Sequence, residues 1–212
     1  GKALAMEYAS TGSDLVLLSR NEEGVKKVSD EINSAGGKCL YKRCDVTNKE
    51  ELRYGIEFAL SSLSIIDLVI INSGVGGPNW MDSFKSEQFI DTFKVNTFAI
   101  AYSLEILIPI MKKQGYGTIA GVTSLADVRG YGGSSSYSAS KAAGSILLDA
   151  ARVELKKHNI RVITVRPGFV KTAMTDKNEF KMPLLMQPPK AARIIRKKIE
   201  KGRSLVQFPW PI

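Results

Sequence analysis

Short apolar runs alternate with longer helical patterns along almost the whole chain, and this alternation restricts the fold more than any other feature. Asp14 to Ser19 (DLVLLS) and Asp67 to Ile71 (DLVII) are almost wholly apolar, as strands covered on both faces are. Lys38 to Cys44, Gly117 to Thr123, Ile160 to Arg166 and Ser204 to Phe208 read as further strands. Helices are expected at Gly1 to Ser10, with an apolar face of Ala3, Leu4 and Ala9, at Glu22 to Ala35, closed by Gly36 and Gly37, and at Lys49 to Ser62. A longer helix is expected from about Ser86 to Lys113, with Phe89, Phe93, Ile100, Leu104, Leu107 and Met111 as its packed stripe, and another over Ser136 to His158. Residues 72–78 and 172–188 read as irregular. Strands alternating with helices of this length imply an α/β chain with a doubly wound parallel sheet in three layers.

In such sheets ligands bind off the carboxyl ends of the strands. The residues able to do chemistry collect there: Ser19 and Arg20, Asp45 and Val46, Asn72, Ser73 and Gly74, Thr123 and Ser124, Pro167 and Gly168. One stretch carries a reaction type. Ser124 to Lys141 (SLADVRGYGGSSSYSASK) holds a Ser, a Tyr thirteen residues on, and a Lys four residues after that. Tyr137 and Lys141 lie one helical turn apart on one face, so an ammonium can sit beside a phenol. A free phenol titrates near ~10, and an adjacent cation is expected to lower that value. Ser124 could hold a substrate oxygen against Tyr137, which is general acid/base chemistry on an alcohol or carbonyl. Taken alone, the stretch reads equally as a Ser/Gly-rich loop running into a helix with a surface Lys.

A chain of 212 residues suits a single domain over 1–212 with a sizeable core, and 44% hydrophobic with 24% charged residues is ordinary globular composition. Cys39 and Cys44 are the two cysteines; an odd separation points them to opposite faces of a strand, so no disulfide is expected between them. Two thiols suit a reducing, cytoplasmic setting. No run was found that reaches the ~18 apolar residues of a membrane span, and no signal peptide is visible. The net charge of +9 owes much to Lys190, Arg193, Arg196, Lys197, Lys198, Lys201 and Arg203, set against Glu200. Ala191, Ile195 and Ile199 recur there at helical spacing, so this is a helix with its stripe on the core and a solvated basic face. Peripheral contact with an anionic membrane through that face is the lesser alternative. A nucleic-acid partner is not expected, because no recognised binding motif is present. His158 falls at a helix end and no Cys/His cluster is visible, so no metal site is expected.

The whole pattern resembles the short-chain dehydrogenase/reductase family, over nearly the full length. YSASK, from Tyr137 to Lys141, is similar to that family's Tyr-x-x-x-Lys motif, and Tyr137 is the one tyrosine among seven with Lys four residues later. Ser124 matches the family's catalytic Ser, and Asn96, in KVNTFA, the Asn that completes its tetrad. Asn72-Ser73-Gly74 resembles the Asn-Ala-Gly turn, with Ser in place of Ala, and Asp45-Val46 the pair at the adenine ring. Pro167-Gly168-Phe169-Val170-Lys171-Thr172 resembles the segment along the nicotinamide. The resemblance implies a Rossmann-like fold, a catalytic set of Asn96, Ser124, Tyr137 and Lys141, and cofactor contacts from Gly1, Ser19, Arg20, Asp45, Val46, Asn72, Ser73, Gly74, Tyr137, Lys141, Pro167, Gly168, Val170 and Thr172. It also implies a homodimer or homotetramer built on the helices at 86–113 and 136–158. The family opens with a strand and a glycine-rich phosphate loop. Here Gly1 stands where the last glycine of that loop would be, so the first strand and the rest of the loop are expected to be lacking from this sequence.

By the family pattern Tyr137 exchanges a proton with the substrate oxygen, Lys141 lowers the Tyr pKa and binds ribose, Ser124 orients the carbonyl and Asn96 anchors a water. An acidic residue after the second strand suits a ribose 2′-hydroxyl, whereas Arg suits a 2′-phosphate. Ser19-Arg20-Asn21 therefore points to NADP(H) rather than NAD(H). Trp80, Met81, Val128, Tyr131, Phe169, Met174, Phe180, Met182, Leu184, Leu185 and Met186 would line a pocket for a hydrophobic or lipid-like ketone, with a lid at about 172–188. They could as well simply pack the lid. The rival to an enzyme is a non-catalytic protein that senses NADP(H) or scaffolds a partner.

Overall fold

The computed structural model describes residues 1–177 and 181–209. Phe180 and the terminal Trp210, Pro211 and Ile212 lie outside the described residues. In chain order the elements are helix α1 (Lys2–Ala9), strand β1 (Leu15–Ser19), α2 (Glu22–Ser34), β2 (Cys39–Arg43), α3 (Lys49–Leu63) and β3 (Leu68–Ile71). There follow α4 (Ser86–Phe93), α5 (Ala99–Gln114), β4 (Gly117–Val122), α6 (Ser135–Leu155), β5 (Ile160–Pro167), α7 (Pro188–Glu200) and β6 (Leu205–Phe208).

Every strand pair is parallel, which requires a crossover between neighbours, and helices supply it. Alternating residues of the central strands feed opposite faces. Ile119, Ile160 and Val162 pack with Ile100, Leu104, Leu107, Met111 and Leu148 under α3, α5 and α6. Ala120, Ile163 and Val165 pack instead with Leu4, Ala191, Ala192, Ile195 and Ile199 under α1 and α7. The basic helix thus spends its apolar stripe on the core, as its spacing predicts. Cys39 and Cys44 are free thiols in different core clusters, which is the opposite-face placement that their spacing implies.

Among the described residues β1–β2 form one ladder and β3–β4–β5–β6 another, with no strand joining β1 to β3. Three features differ from the sequence expectation. The long helix is not uniform. Between α4 and α5 the backbone widens into a π segment, Lys94–Phe98 (KVNTF), of the kind that is rare and concentrated at functional sites. α6 stops at Leu155 and a 3-10 turn, Lys156–His158, leads to Asn159 in the left-handed region. The helical stretch Ser86–Gln114, though charged residues interrupt its apolar runs, is long and apolar enough to cross a membrane, which the count of apolar runs does not indicate. Its apolar composition is used in the core, where Ile100, Leu104, Leu107 and Met111 are buried.

Candidate active site

Three consecutive residues at the end of β4 organise the site. Val122 accepts a hydrogen bond from Lys141 Nζ at 2.9 Å through its carbonyl. Thr123 is buried and directs its hydroxyl to the neighbouring Asp127 carboxylate at 3.3 Å. Ser124 leaves the strand in extended backbone, and its hydroxyl accepts from the Ala126 N–H at 3.1 Å, starting a 3-10 turn over Leu125–Asp127. That turn aims Ser124 at α6, where Tyr137 and Lys141 occupy one face at i, i+4 as predicted. Ser124 acts on the Tyr137 phenol as a hydrogen-bonding neighbour, and Lys141 Nζ lies 5.8 Å from the Tyr137 ring centroid.

The electrostatics differ from the expectation that Lys141 lowers the Tyr137 pKa. Burial raises the phenol above its ordinary value, the Ser124 hydrogen bond opposes the rise, and the Asp127 charge adds to it. Burial also lowers Lys141, 3% exposed, to about 8, against a smaller opposing pull from Asp127. The reason is geometric. The ammonium is engaged by the Val122 carbonyl and stands over the ring at 5.8 Å from its centroid, and desolvation dominates both groups.

Asn96 sits in the π segment and is buried. Its Oδ1 accepts from the Val75 N–H at 2.8 Å, while Nδ2 donates to the Val75 carbonyl at 2.9 Å and to Ser140 Oγ at 3.0 Å. The side chain therefore fastens the loop after β3 to α6. That loop passes close: a methyl group on Gly74 would lie 3.0 Å from Lys141 Nζ, and one on Gly76 would lie 2.9 Å from Cδ2 of Tyr137. Asn79, 2% exposed, clips the same loop to the start of α6 through Ser136 Oγ at 2.9 Å and the Gly133 carbonyl at 2.8 Å. Sequence reasoning missed Gly76, Asn79 and Asp127. The spacing of Ser145, one turn beyond Lys141 on the same stripe, was the available hint to Asp127, to which it donates.

At the ends of β1 and β2, Arg20 is 70% exposed and its guanidinium stands 3.8 Å from the Asp45 carboxylate. The Ser19 hydroxyl accepts from the Asn21 N–H at 3.2 Å, and Asn21 caps α2. Thr47 donates to Asp45 through its N–H and hydroxyl, which holds that carboxyl below its usual range. Val46 is half-buried against the core. Gly1 lies beside the end of β3, a methyl on it falling 3.4 Å from Asn72 Nδ2. Asn72 is exposed, with Ser73 half-buried beside it.

Beyond β5, Pro167 pairs with Phe208 and the Gly168 N–H donates to the Phe208 carbonyl at 2.8 Å. Val170 bridges to Met186, and the Thr172 hydroxyl accepts from the Thr175 N–H at 3.3 Å. Trp80 lies over Gly133 and is exposed, as are Met81, Val128, Tyr131, Met174, Leu184 and Leu185, while Phe169, Met182 and Met186 are half-buried. The donor set suits a dinucleotide: a hydroxyl, an exposed guanidinium and a carboxylate at the ends of β1 and β2, and the Tyr137 phenol and Lys141 ammonium on α6. Gly74 leaves the room beside Lys141 that a side chain would fill.

A profile of short chain dehydrogenases matches residues 1–182. An uncharacterized oxidoreductase of Myxococcus xanthus is 32% identical over all of this chain and 84% of its own length. The 7alpha-hydroxysteroid dehydrogenase of Escherichia coli K12 is 34% identical over 81% of this chain and 67% of its length. A solved 7 alpha-hydroxysteroid dehydrogenase, complexed with NADH and 7-oxo glycochenodeoxycholic acid, superimposes with a TM-score of 0.90 at 28% identity, covering 98% of this chain and 88% of that one.

Proposed function

The chain belongs to the short chain dehydrogenase family and is an oxidoreductase of alcohol and ketone groups with a nicotinamide cofactor, and on that premise we propose that it works with NADP(H), reducing a hydrophobic or lipid-like ketone through Ser124, Tyr137, Lys141 and Asn96. The convergence of the Ser124 and Tyr137 hydroxyls beside Lys141 is the observation that carries the chemistry. Bound nicotinamide would supply or accept the hydride. Tyr137, a phenol that burial makes a still weaker acid than usual, gives its proton to the substrate oxygen during reduction. Ser124 donates a hydrogen bond to that oxygen and orients it. Lys141, whose Nζ lies 5.8 Å from the Tyr137 ring centroid, faces the phenolate that proton transfer leaves. Asn96 holds the loop that carries Gly74 and Gly76 against both groups.

Coenzyme choice rests on Arg20 with Ser19. An exposed guanidinium at the end of β1 offers the planar fork that a 2′-phosphate accepts. Asp45, 3.8 Å away, argues the other way, and a titration decides. NADPH is expected to bind more tightly than NADH, and Arg20→Ala to erase most of that difference; equal binding in the parent protein, or no change in the variant, refutes the coenzyme assignment. Gly1, Asn72, Ser73, Val46, Pro167, Gly168, Val170 and Thr172 complete the proposed cofactor contacts.

The apolar rim of Trp80, Met81, Tyr131, Leu184 and Leu185 supports an apolar substrate. We further read the chain as one domain with a lid at about 172–188, in a cytoplasmic setting that its two buried thiols suit. Ile146, Ala150 and Val153 form an exposed stripe on α6, with Val153 80% exposed, and this face supports a homodimer or homotetramer. A sensor without turnover remains the second reading; its prediction is nucleotide binding with no ketone-dependent oxidation of NADPH.

A further inference from the structure

The carboxylate of Asp127 is 0% exposed and belongs to none of the groups just assigned. All its hydrogen bonds fall on one oxygen. Oδ2 receives Arg166 Nε from β5 at 2.8 Å, the Ser145 hydroxyl from α6 and, shared with the Val165 carbonyl at the same 3.3 Å, the hydroxyl of Thr123 just past β4. Oδ1 is buried and, among the described residues, has no hydrogen-bond partner. A buried carboxylate oxygen left bare is costly and rare, and an apolar residue of the same size would hold three elements together without that cost.

Its partners are the neighbours of the reacting groups. Tyr137, Lys141 and Ser145 stand at i, i+4 and i+8 on one stripe of α6, so the Ser145 bond places Asp127 one turn beyond the ammonium. Thr123 is the residue before Ser124, and Asp127 closes the turn that Ser124 begins. Arg166 is the one charged group ion-paired with Asp127 among the described residues, and Tyr137 and Lys141 face it from α6.

We propose that Asp127 is a positioning residue for the reaction: its buried carboxylate locks the end of β4 to the Tyr137–Lys141 stripe and sets a fixed negative charge, ion-paired with Arg166, beside both groups. The charge favours the protonated phenol and the protonated amine together. It therefore holds the site in the state that delivers a proton. The inference rests on the enzyme reading above. Arg166 is its counterweight, and the two residues act in opposite senses.

The test is the pH profile of alcohol oxidation, for which Tyr137 must lose its proton. Wild-type turnover is measured first: its absence fails the enzyme reading and leaves no profile to compare. Asp127→Asn keeps the shape and removes the charge, so the ascending limb is expected to move to lower pH by roughly one unit. Arg166→Gln frees the charge of Asp127, and the limb is expected to move to higher pH. Circular dichroism confirms that each variant is folded, so a shift in one folded variant suffices if the other does not fold. Unshifted profiles in folded variants, or shifts in the same sense, overturn the proposal. Failure of both variants to fold also overturns it, in favour of a scaffold role.

Discussion

Replacing Lys141 by Met should stabilise the protein at neutral pH while destroying its activity. The side chain is 3% exposed, and its ammonium has, among the described residues, one hydrogen bond, to the Val122 carbonyl, for three donors. Burial lowers its pKa from 10.5 to about 8, and that difference corresponds to about 3 kcal/mol of cost for keeping the folded form charged. Met fills a similar volume without charge but leaves the Val122 carbonyl bare, a loss of about 1 kcal/mol. The variant should therefore be roughly 2 kcal/mol more stable at pH 7. The sign reverses with pH. Below about pH 8 both folded and unfolded Lys141 are protonated and the full cost is present. Between about 8 and 10.5 only the unfolded chain holds the proton, so wild-type stability rises with pH relative to the variant. Urea unfolding at pH 7 and pH 10 measures this. A Met variant less stable at pH 7, or a difference that does not change with pH, refutes the reasoning.

Asn96→Ala removes three hydrogen bonds and leaves both backbone groups of Val75 unpaired; about 2–4 kcal/mol of stability should be lost, read from urea midpoints, along with most turnover. Gly76→Ala places a methyl 2.9 Å from the Tyr137 ring, so kcat should fall at least about tenfold with little change in the unfolding midpoint. Nucleotide titration of Arg20→Ala should abolish the preference for NADPH over NADH, as set out above.

How much of this was legible depends on the range over which each signal acts. β3 and β4 are covered on both faces, so their residues are apolar whatever their neighbours, and the runs at Asp67 to Ile71 and Gly117 to Thr123 announced them. Tyr137 and Lys141 were legible because one helix fixes their geometry. The π segment was not, since KVNTF continues the apolar period on either side and only the widened backbone tells it apart. Asn79 and Asp127 join residues far apart in sequence, Asn79 reaching Ser136 and Asp127 reaching Arg166, and no local period encodes such contacts. Gly76 read as loop punctuation, but its approach to Tyr137 appears only when Asn96 pulls the loop onto α6. The direction of the Tyr137 shift was misjudged because the spacing supplies the cation and says nothing of burial.

The central claim is that Tyr137 moves the proton. Tyr137→Phe removes one hydroxyl and keeps the ring that packs beneath Gly76. The account predicts that the variant binds NADPH as the parent does and loses ketone-dependent NADPH oxidation by at least about a hundredfold. Turnover within a few-fold of the parent would contradict it.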